Sequence, residues 1–236
     1  MEFVSRSMDT NACEKTLGVV FKSKELLKTA FTHRSFLNEN RKVKLEHNER
    51  MEFLGDAVLE LIVTEFLFAK YPTKPEGELT AFRSALVNAN TLSDLALKLG
   101  VNNHLLLSRG EAKDTGRARQ YILANTFEAV VGAMFLDQGY DMAKEFIERV
   151  LLPMTDDIVA NKHWLDAKSH FQEKAQEIAS VTPSYKTISE IGPDHDKNFT
   201  VGVYLGSEKV AEGTGRSKQD AEQSAAEAGL KAKNWN

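Results

Sequence analysis

The chain has 236 residues and a net charge of −4, with 42% hydrophobic and 27% charged residues. This composition excludes a collagen-like, low-complexity or wholly disordered chain and predicts a folded protein of one or two domains. The acidic total weakens any general attraction to nucleic acid, although it does not exclude a local basic patch. No apolar run approaches the roughly 20 residues that span a bilayer, and the first residues lack the apolar core of a signal peptide. We therefore expect a cytoplasmic protein without a membrane partner.

The first two thirds of the chain have a helical pattern. From Leu26 to about Ala160, apolar residues recur at spacings of three and four, and no sustained alternation of period two occurs. This pattern predicts an all-α domain. The predicted helices are Lys24–Ala30, Glu46–Lys70, Leu79–Asn88, Thr91–Leu99, Tyr121–Asp137 and Asp141–Leu151.

The pattern changes after Trp164. A helix is followed by segments with strand-like alternation and then by a last helix with an alanine-rich face. The predicted fold class is therefore all-α followed by α+β, with a helical domain at 1–161 and a small α-β-β-β-α domain at 162–236. The predicted elements of the second domain are Ala167–Ser180, Tyr185–Ile191, Phe199–Leu205, Lys209–Glu212 and Lys218–Lys233.

The predicted helix 46–70 carries a stripe of acidic residues. At about 100° per residue, Glu49, Glu52, Asp56 and Glu60 share an arc of roughly 80° on one face. Such carboxylates repel each other at a spacing of four residues, so a purely structural helix would normally alternate them with basic residues. A solvated helix face is the alternative interpretation of the stripe.

A second helical segment strengthens the chemical interpretation. Residues 122–136 are apolar almost all round, yet Asn125 and Glu128 lie three residues apart on one side. A buried carboxylate needs a basic residue or a metal ion beside it. Oxygen ligands from two helices, without paired histidines, favour Mg²⁺ with Mn²⁺ as a substitute. Because the usual nucleophile and phosphate-loop motifs are missing, a carboxylate-held metal that activates water for phosphodiester hydrolysis is the scheme that remains.

These two segments resemble a known family. Residues 48–59, with the sequence NERMEFLGDAVL, resemble the signature helix of ribonuclease III, and Asn125 with Glu128 resembles its second metal-binding segment. The segments 171–173, 192–195 and 213–218 resemble a double-stranded RNA-binding domain. The resemblance implies a homodimeric, Mg²⁺-dependent endoribonuclease. It would cut double-stranded RNA to 5′-phosphate and 3′-hydroxyl ends, in the processing of rRNA and mRNA.

The resemblance also assigns roles to individual residues. It gives catalytic roles to Asp56 and Glu128, and metal-binding roles to Glu52, Asn125 and Glu128. Two further acids are implied as supporting residues, namely Glu49 and Glu76. The residues implied in RNA binding are Gln172, Glu173, His195, Arg216, Ser217 and Lys218.

The chain departs from the family pattern at Asn125, where ribonuclease III usually has aspartate. An amide oxygen can still ligate Mg²⁺, but it adds no negative charge and cannot act as a base. The alternative function is therefore a non-cleaving protein that binds double-stranded RNA through an otherwise intact fold.

A second departure concerns the RNA-binding domain. The family usually has several lysines at the start of the last helix, whereas Lys218 is followed here by Gln219 and Asp220. Residues 166–236 contain nine Lys or Arg and eleven Asp or Glu, a net charge of −2. Weak and salt-sensitive RNA binding is the expectation.

Overall fold

A computed structural model describes residues 8–160, 167–193 and 197–235. The chain divides into two compact units, Met1–Trp164 and Leu165–Asn236. The predicted boundary between 161 and 162 falls in the segment 161–166, which lies outside the described residues, so the limits 1–161 and 162–236 stay a prediction. Among the described helices, none combines the length and apolar character needed to cross a membrane.

The first unit is helical, as predicted. Its described residues form α-helices connected by short turns, three of which are 3₁₀ turns at Val101–His104, Glu111–Lys113 and Leu152–Met154. The α-helices are α1 (Thr10–Leu17), α2 (Lys24–Ala30), α3 (Arg34–Glu39), α4 (Glu49–Lys70), α5 (Glu76–Val87), α6 (Ala89–Leu99), α7 (Arg117–Gln138), α8 (Tyr140–Val150) and α9 (Thr155–Ala160).

The structure changes several predicted helix ends. Helix α4 starts at Glu49 instead of residue 46, because Asn48 is buried and tied to the end of α2. The Asn48 backbone N–H donates to the Thr32 carbonyl at 2.9 Å, and its side chain donates to the Ala30 carbonyl at 3.2 Å. Helices α1, α3 and α9 were not predicted, because six to eight residues show too little of the helical period.

Helix α7 lies in the centre of the first unit. Eleven of its 22 residues are buried, which confirms that this apolar segment belongs to a core. Helix α4 packs against α7 more extensively than against any other described element. Helices α2, α6 and α8 also pack against α7. The two long helices predicted to carry the acidic residues are therefore direct neighbours.

Helices α4 and α7 touch through glycine. A Cβ atom on Gly132 of α7 would lie 2.3 Å from the Met51 carbonyl oxygen of α4, and one on Gly55 would lie 1.8 Å from the Glu128 carbonyl oxygen. No side chain fits at either distance, so both positions require the missing Cβ of glycine. The backbones of α4 and α7 consequently approach each other directly at this crossing.

The second unit is an antiparallel sheet with the strand order β1-β2-β3, packed against two helices. Its core contains Phe171, Val203 and Leu230 together with small residues of the last helix. Gly213 lets that helix lie flat on β3, since a Cβ there would be 2.0 Å from the Ala225 nitrogen. The elements are α10 (Ala167–Ala179), β1 (Pro183–Ile191), β2 (Asn198–Leu205), β3 (Glu208–Gly215) and α11 (Lys218–Lys233).

Gly132→Ala should destabilise the protein, because its new methyl group would collide with the α4 backbone at Met51. We expect a loss of about 2–4 kcal/mol in the free energy of unfolding, measured by urea denaturation. Gly77→Ala is the matched control, since nothing lies within 4 Å of a Cβ at that position. Equal stabilities of the two variants would contradict the close crossing of α4 and α7.

Candidate active site

The crossing of α4 and α7 gathers four of the predicted site residues. Glu52 and Asp56 lie one turn apart on α4, on either side of Gly55, and Asn125 and Glu128 lie one turn apart on α7. The Glu128 main chain is the group that Gly55 touches. The acidic stripe of α4 and the two polar residues of α7 thus meet where the helices are closest.

Glu128 has the most strongly perturbed carboxyl group of the site. Burial raises its pKa from 4.5 to about 8, and the negative charges of Asp56 and Glu52 act in the same direction. The carboxyl groups of Glu52, Asp56 and Glu128 therefore oppose each other's ionisation, because their negative charges repel. At neutral pH, ionisation of Glu128 needs a positive charge nearby.

Glu52 connects the two helices. Burial raises the pKa of its carboxyl group, as do the charges of Glu49 and Asp56. The Asn125 side chain acts in the opposite direction, because it donates a hydrogen bond to the Glu52 carboxylate. An aspartate at position 125 would have no hydrogen to donate when ionised.

Glu49 lies at the edge of the site with basic neighbours. Its carboxylate is 3.3 Å from Arg34 Nη1 and 3.7 Å from His47 Nδ1. Its side chain is about half exposed, in contrast to the more buried Glu52 and Glu128. Glu49 is therefore held by neighbouring residues of the first unit and adds negative charge to one side of the site.

A cavity of about 310 Å³ adjoins the site on the side of Glu49, Glu52 and Asn125. Six of its nine lining residues were not predicted as site residues, among them His33, Glu111 and Tyr121. Glu111 belongs to a charged, glycine-containing loop, and this composition was the only available signal for it. The sequence did not place His33 and Tyr121 at this cavity, because the two residues lie 88 positions apart in the chain.

Arg119 holds the loop that carries Glu111. Its guanidinium Nη2 donates to the Glu111 carbonyl at 2.6 Å, and its Nε donates to the Asp114 carbonyl at 3.1 Å. At the start of the loop, the Ser108 N–H donates to Ser35 Oγ at 3.1 Å. These hydrogen bonds fix the loop beside the cavity, so that Glu111 adds another carboxylate to its wall.

The donors at the crossing fit a divalent cation. In the described part of the chain, no three acidic, histidine or cysteine side chains stand close enough to enclose a metal ion by themselves. Mg²⁺ does not need such an enclosure, since it usually keeps several waters and binds one or two carboxylates with additional oxygen ligands. Carboxylates whose pKa values are raised by burial and mutual repulsion, with an amide oxygen beside them, match that requirement.

The remaining predicted residues lie elsewhere. Glu76 starts α5 and accepts a hydrogen bond from Thr80 Oγ1 at 2.9 Å, and it has no hydrogen bond or ion pair with the four crossing residues in the parts that the structure describes. His195 lies outside the described residues. The other predicted RNA-binding residues belong to the second unit: Gln172 and Glu173 are exposed on α10, and Arg216, Ser217 and Lys218 lie at the start of α11.

Glu128→Gln should make the metal-free protein more stable, increasingly so at higher pH. Because the pKa of Glu128 is about 8 when folded and 4.5 ordinarily, the wild type loses stability as the pH rises from about 4.5 to about 8. The variant does not titrate, so its advantage should grow over this window to roughly 1–3 kcal/mol after allowance for solvent screening. Urea unfolding in EDTA measures this difference, with the exposed Glu60→Gln as control. A difference independent of pH would contradict the perturbed carboxyl group.

Comparison with known proteins agrees with this architecture. The family described as Ribonuclease-III-like matches residues 23–155, and the Double-stranded RNA binding motif matches residues 167–233. Ribonuclease 3 of Enterococcus faecalis is 45% identical over 223 residues, covering 94% of this chain and 96% of that relative. Ribonuclease 3 of Bdellovibrio bacteriovorus is 43% identical over 221 residues, covering 93% and 94%.

Solved structures give the same assignment for the first unit. The nuclease domain of ribonuclease III from Campylobacter jejuni superposes with a TM-score of 0.54 at 39% sequence identity. The match covers 59% of this chain and 96% of that domain. The family resemblance inferred from residues 48–59 and from Asn125 and Glu128 is thereby confirmed. The chain belongs to the ribonuclease III family and has a double-stranded RNA-binding domain after its nuclease domain.

Proposed function

We propose that the protein is an endoribonuclease that hydrolyses phosphodiester bonds of double-stranded RNA in the presence of Mg²⁺. The observation that carries this proposal is the α4–α7 crossing, where Glu52, Asp56 and Glu128 share one region and the pKa of Glu128 is raised to about 8. Two helices that only supported the fold would not be expected to place three mutually repelling carboxyl groups at their contact. The products are 5′-phosphate and 3′-hydroxyl ends, as implied by the family.

The site residues have different roles in binding the metal ion. One or two of the carboxylates of Glu52, Asp56 and Glu128 would supply oxygen ligands for Mg²⁺, and the Asn125 amide orients Glu52 through its hydrogen bond. When bound, Mg²⁺ supplies Lewis-acid activation of water and stabilises the negative charge that develops on the phosphate. Glu49 and Glu111 add negative electrostatic potential on the cavity side of the site. This potential favours the binding of a cation there. Glu76 remains a supporting residue by family resemblance alone.

The second unit binds the duplex by shape. In A-form RNA the base edges lie in a deep, narrow groove, so a protein contacts phosphates and 2′-hydroxyl groups. The exposed Gln172 and Glu173 of α10 are suited to hydrogen bonds with a minor groove. Lys218 and Arg216 at the start of α11 are suited to phosphates. His195 is the expected contact from the loop between β1 and β2.

Two copies of the chain form the active protein. Helix α4 exposes three large apolar side chains within an arc of about 80°: Phe53 at 81%, Leu61 at 58% and Phe68 at 75% exposure. Apolar patches of this kind mark interfaces between proteins. The related nuclease domain from Campylobacter jejuni has a structurally flexible region that is involved in dimer formation. The α4 face is therefore the interface of a homodimer, whose substrates we expect in cytoplasmic rRNA and mRNA processing.

A non-cleaving protein that binds double-stranded RNA is the second candidate. Asn125 is the observation that favours it, because an amide replaces the negative charge of the usual aspartate. The three carboxylates retained around Asn125 favour the nuclease.

Cleavage of an end-labelled RNA duplex distinguishes the two candidates. The nuclease should cut the duplex in Mg²⁺ but not in EDTA, and it should leave single-stranded RNA intact. Glu128→Ala should reduce the cleavage rate by at least about 100-fold, because it removes a carboxylate of the metal site, while the duplex remains bound. The exposed Glu60→Ala, on the same face of α4, is the control and should cut normally. Retarded but uncut duplex with the wild type would support the binding protein and overturn the nuclease.

Asn125→Asp tests the amide separately from the rest of the site. The new carboxylate should tighten Mg²⁺ binding about three- to ten-fold in calorimetric titration, because it adds negative charge and a ligand. It should also lower the stability of the metal-free protein, since it removes the hydrogen bond to Glu52 and adds repulsion. Asn103→Asp, at an exposed position outside the site, is the matched control. Unchanged Mg²⁺ affinity would remove position 125 from the metal site.

A further inference from the structure

Most lysines of the RNA-binding domain form ion pairs within the domain. Five of them have a carboxylate oxygen within 2.9 Å of Nζ, so their charges are compensated before RNA arrives. These pairs are Lys168–Glu222, Lys174–Glu177, Lys209–Glu212, Lys218–Glu190 and Lys233–Glu208.

The Lys218–Glu190 pair joins two segments that matter for RNA. Lys218 is the first residue of α11, and Glu190 is the last residue but one of β1. Their charged atoms are 2.9 Å apart. This ion pair lets Lys218 lower the pKa of Glu190, and the charge of Lys197 acts in the same direction.

The surrounding backbone brings these two residues close together. Phe199 of β2 is paired with Glu190 on one side and with Gly215 of β3 on the other. Gly215 lies directly under the start of α11, since a Cβ there would be 2.5 Å from the Ala221 nitrogen. The Lys218 ammonium group stands 5.7 Å from the centre of the Phe199 ring. Lys218 is thus held between an aromatic ring and a carboxylate, yet its side chain is 58% exposed.

The backbone at the start of α11 has few free donors for an incoming anion. Ser217 and Asp220 form a capping box, in which the Asp220 N–H donates to Ser217 Oγ and the Ser217 N–H donates to the Asp220 carboxylate, both at 3.1 Å. The capping box uses two backbone donors and places a negative charge at the helix start, where it is favoured by the helix dipole. Lys218 and the exposed Arg216 are therefore the cationic side chains that this end of α11 offers to a phosphate.

We propose that Glu190 is an affinity-determining residue for double-stranded RNA, because its carboxylate already compensates the charge of Lys218, a cation suited to an RNA phosphate. The inference rests on the proposed RNA-binding function of this domain. RNA binding exchanges one anion for another at Lys218, and the displaced carboxylate of Glu190 remains close to the phosphate backbone. Both effects weaken binding and select for RNA that makes further contacts with the protein.

Glu190→Gln tests this proposal in the full-length protein. The binding of a labelled RNA duplex of about 16 base pairs or more is measured by fluorescence anisotropy in EDTA, so that the RNA is not cut. The variant keeps the size of the side chain but frees Lys218, so Kd should fall about two- to five-fold. The dependence of log Kd on log salt should become steeper by up to about one unit, because one more lysine takes part in counterion release.

Glu208→Gln is the matched control. It removes the same charge from the pair with Lys233, which lies at the opposite end of α11, about 22 Å along the helix axis. Its effect on Kd should be less than half of that of Glu190→Gln. Equal effects of the two variants would mean that only the net charge of the domain matters, and they would overturn the proposal.

A double-variant experiment shows whether Glu190 acts through Lys218. In the Lys218→Gln background, Glu190→Gln should lose most of its effect on Kd. A gain of the same size in both backgrounds would contradict the proposal, even if Lys218 itself contacts RNA. If neither the wild type nor Glu190→Gln binds the duplex, the proposed RNA-binding function fails together with this inference. Duplex binding with identical Kd values overturns the inference alone.

Discussion

The direct contact of two helix backbones at Gly55 and Gly132 is the constraint on which the nuclease unit depends. Side chains longer than hydrogen at these positions would separate α4 from α7, and the distance between their polar groups would grow accordingly. The contact occurs within one turn of Glu52 and Asp56 on one helix and of Glu128 on the other. The same glycines that close the packing therefore also set the spacing of the carboxylates.

The close approach of these carboxyl groups suits metal binding but destabilises the metal-free fold. Burial and like charge raise the pKa values of Glu52 and Glu128, so the metal-free fold holds groups that would be more stable apart. The buried surface of α7 compensates for this cost, because nearly every other residue around Glu128 is apolar and buried. The Asn125 amide relieves part of the repulsion through its hydrogen bond to Glu52. A residue that looks like a weakened ligand in sequence thus has a positive structural role.

The sequence predicts much of this arrangement, because helical periodicity and residue chemistry are local properties. The stripe Glu49, Glu52 and Asp56 and the apolar segment around Glu128 are visible in the sequence alone, and the helical nuclease unit and the α-β-β-β-α unit are both predicted correctly. The individual roles assigned to the site residues stay predictions. The short helices α1, α3 and α9 were not predicted, since segments of six to eight residues show little of the helical period.

The residues of the cavity show where sequence reasoning ends. Glu111 lines the same cavity as Glu52 and Asn125 because hydrogen bonds from Arg119 and to Ser35 hold its loop there. No pattern in the sequence predicts those hydrogen bonds. The ion pair of Lys218 with Glu190 joins residues 28 positions apart and depends on the register of β1, β2 and β3. From the sequence alone, Lys218 is a free cation at a helix start, whereas the fold gives it an anionic partner.

The most direct test of the metal site is a crystal structure of the protein with Mn²⁺, in which anomalous scattering locates the metal. We expect an anomalous peak at the α4–α7 crossing, coordinated by carboxylate oxygens of Glu52, Asp56 or Glu128, with Gly55 and Gly132 still in contact. Mn²⁺ bound elsewhere, or a crossing without metal at saturating Mn²⁺, would contradict the central claim that the helix contact builds a metal site.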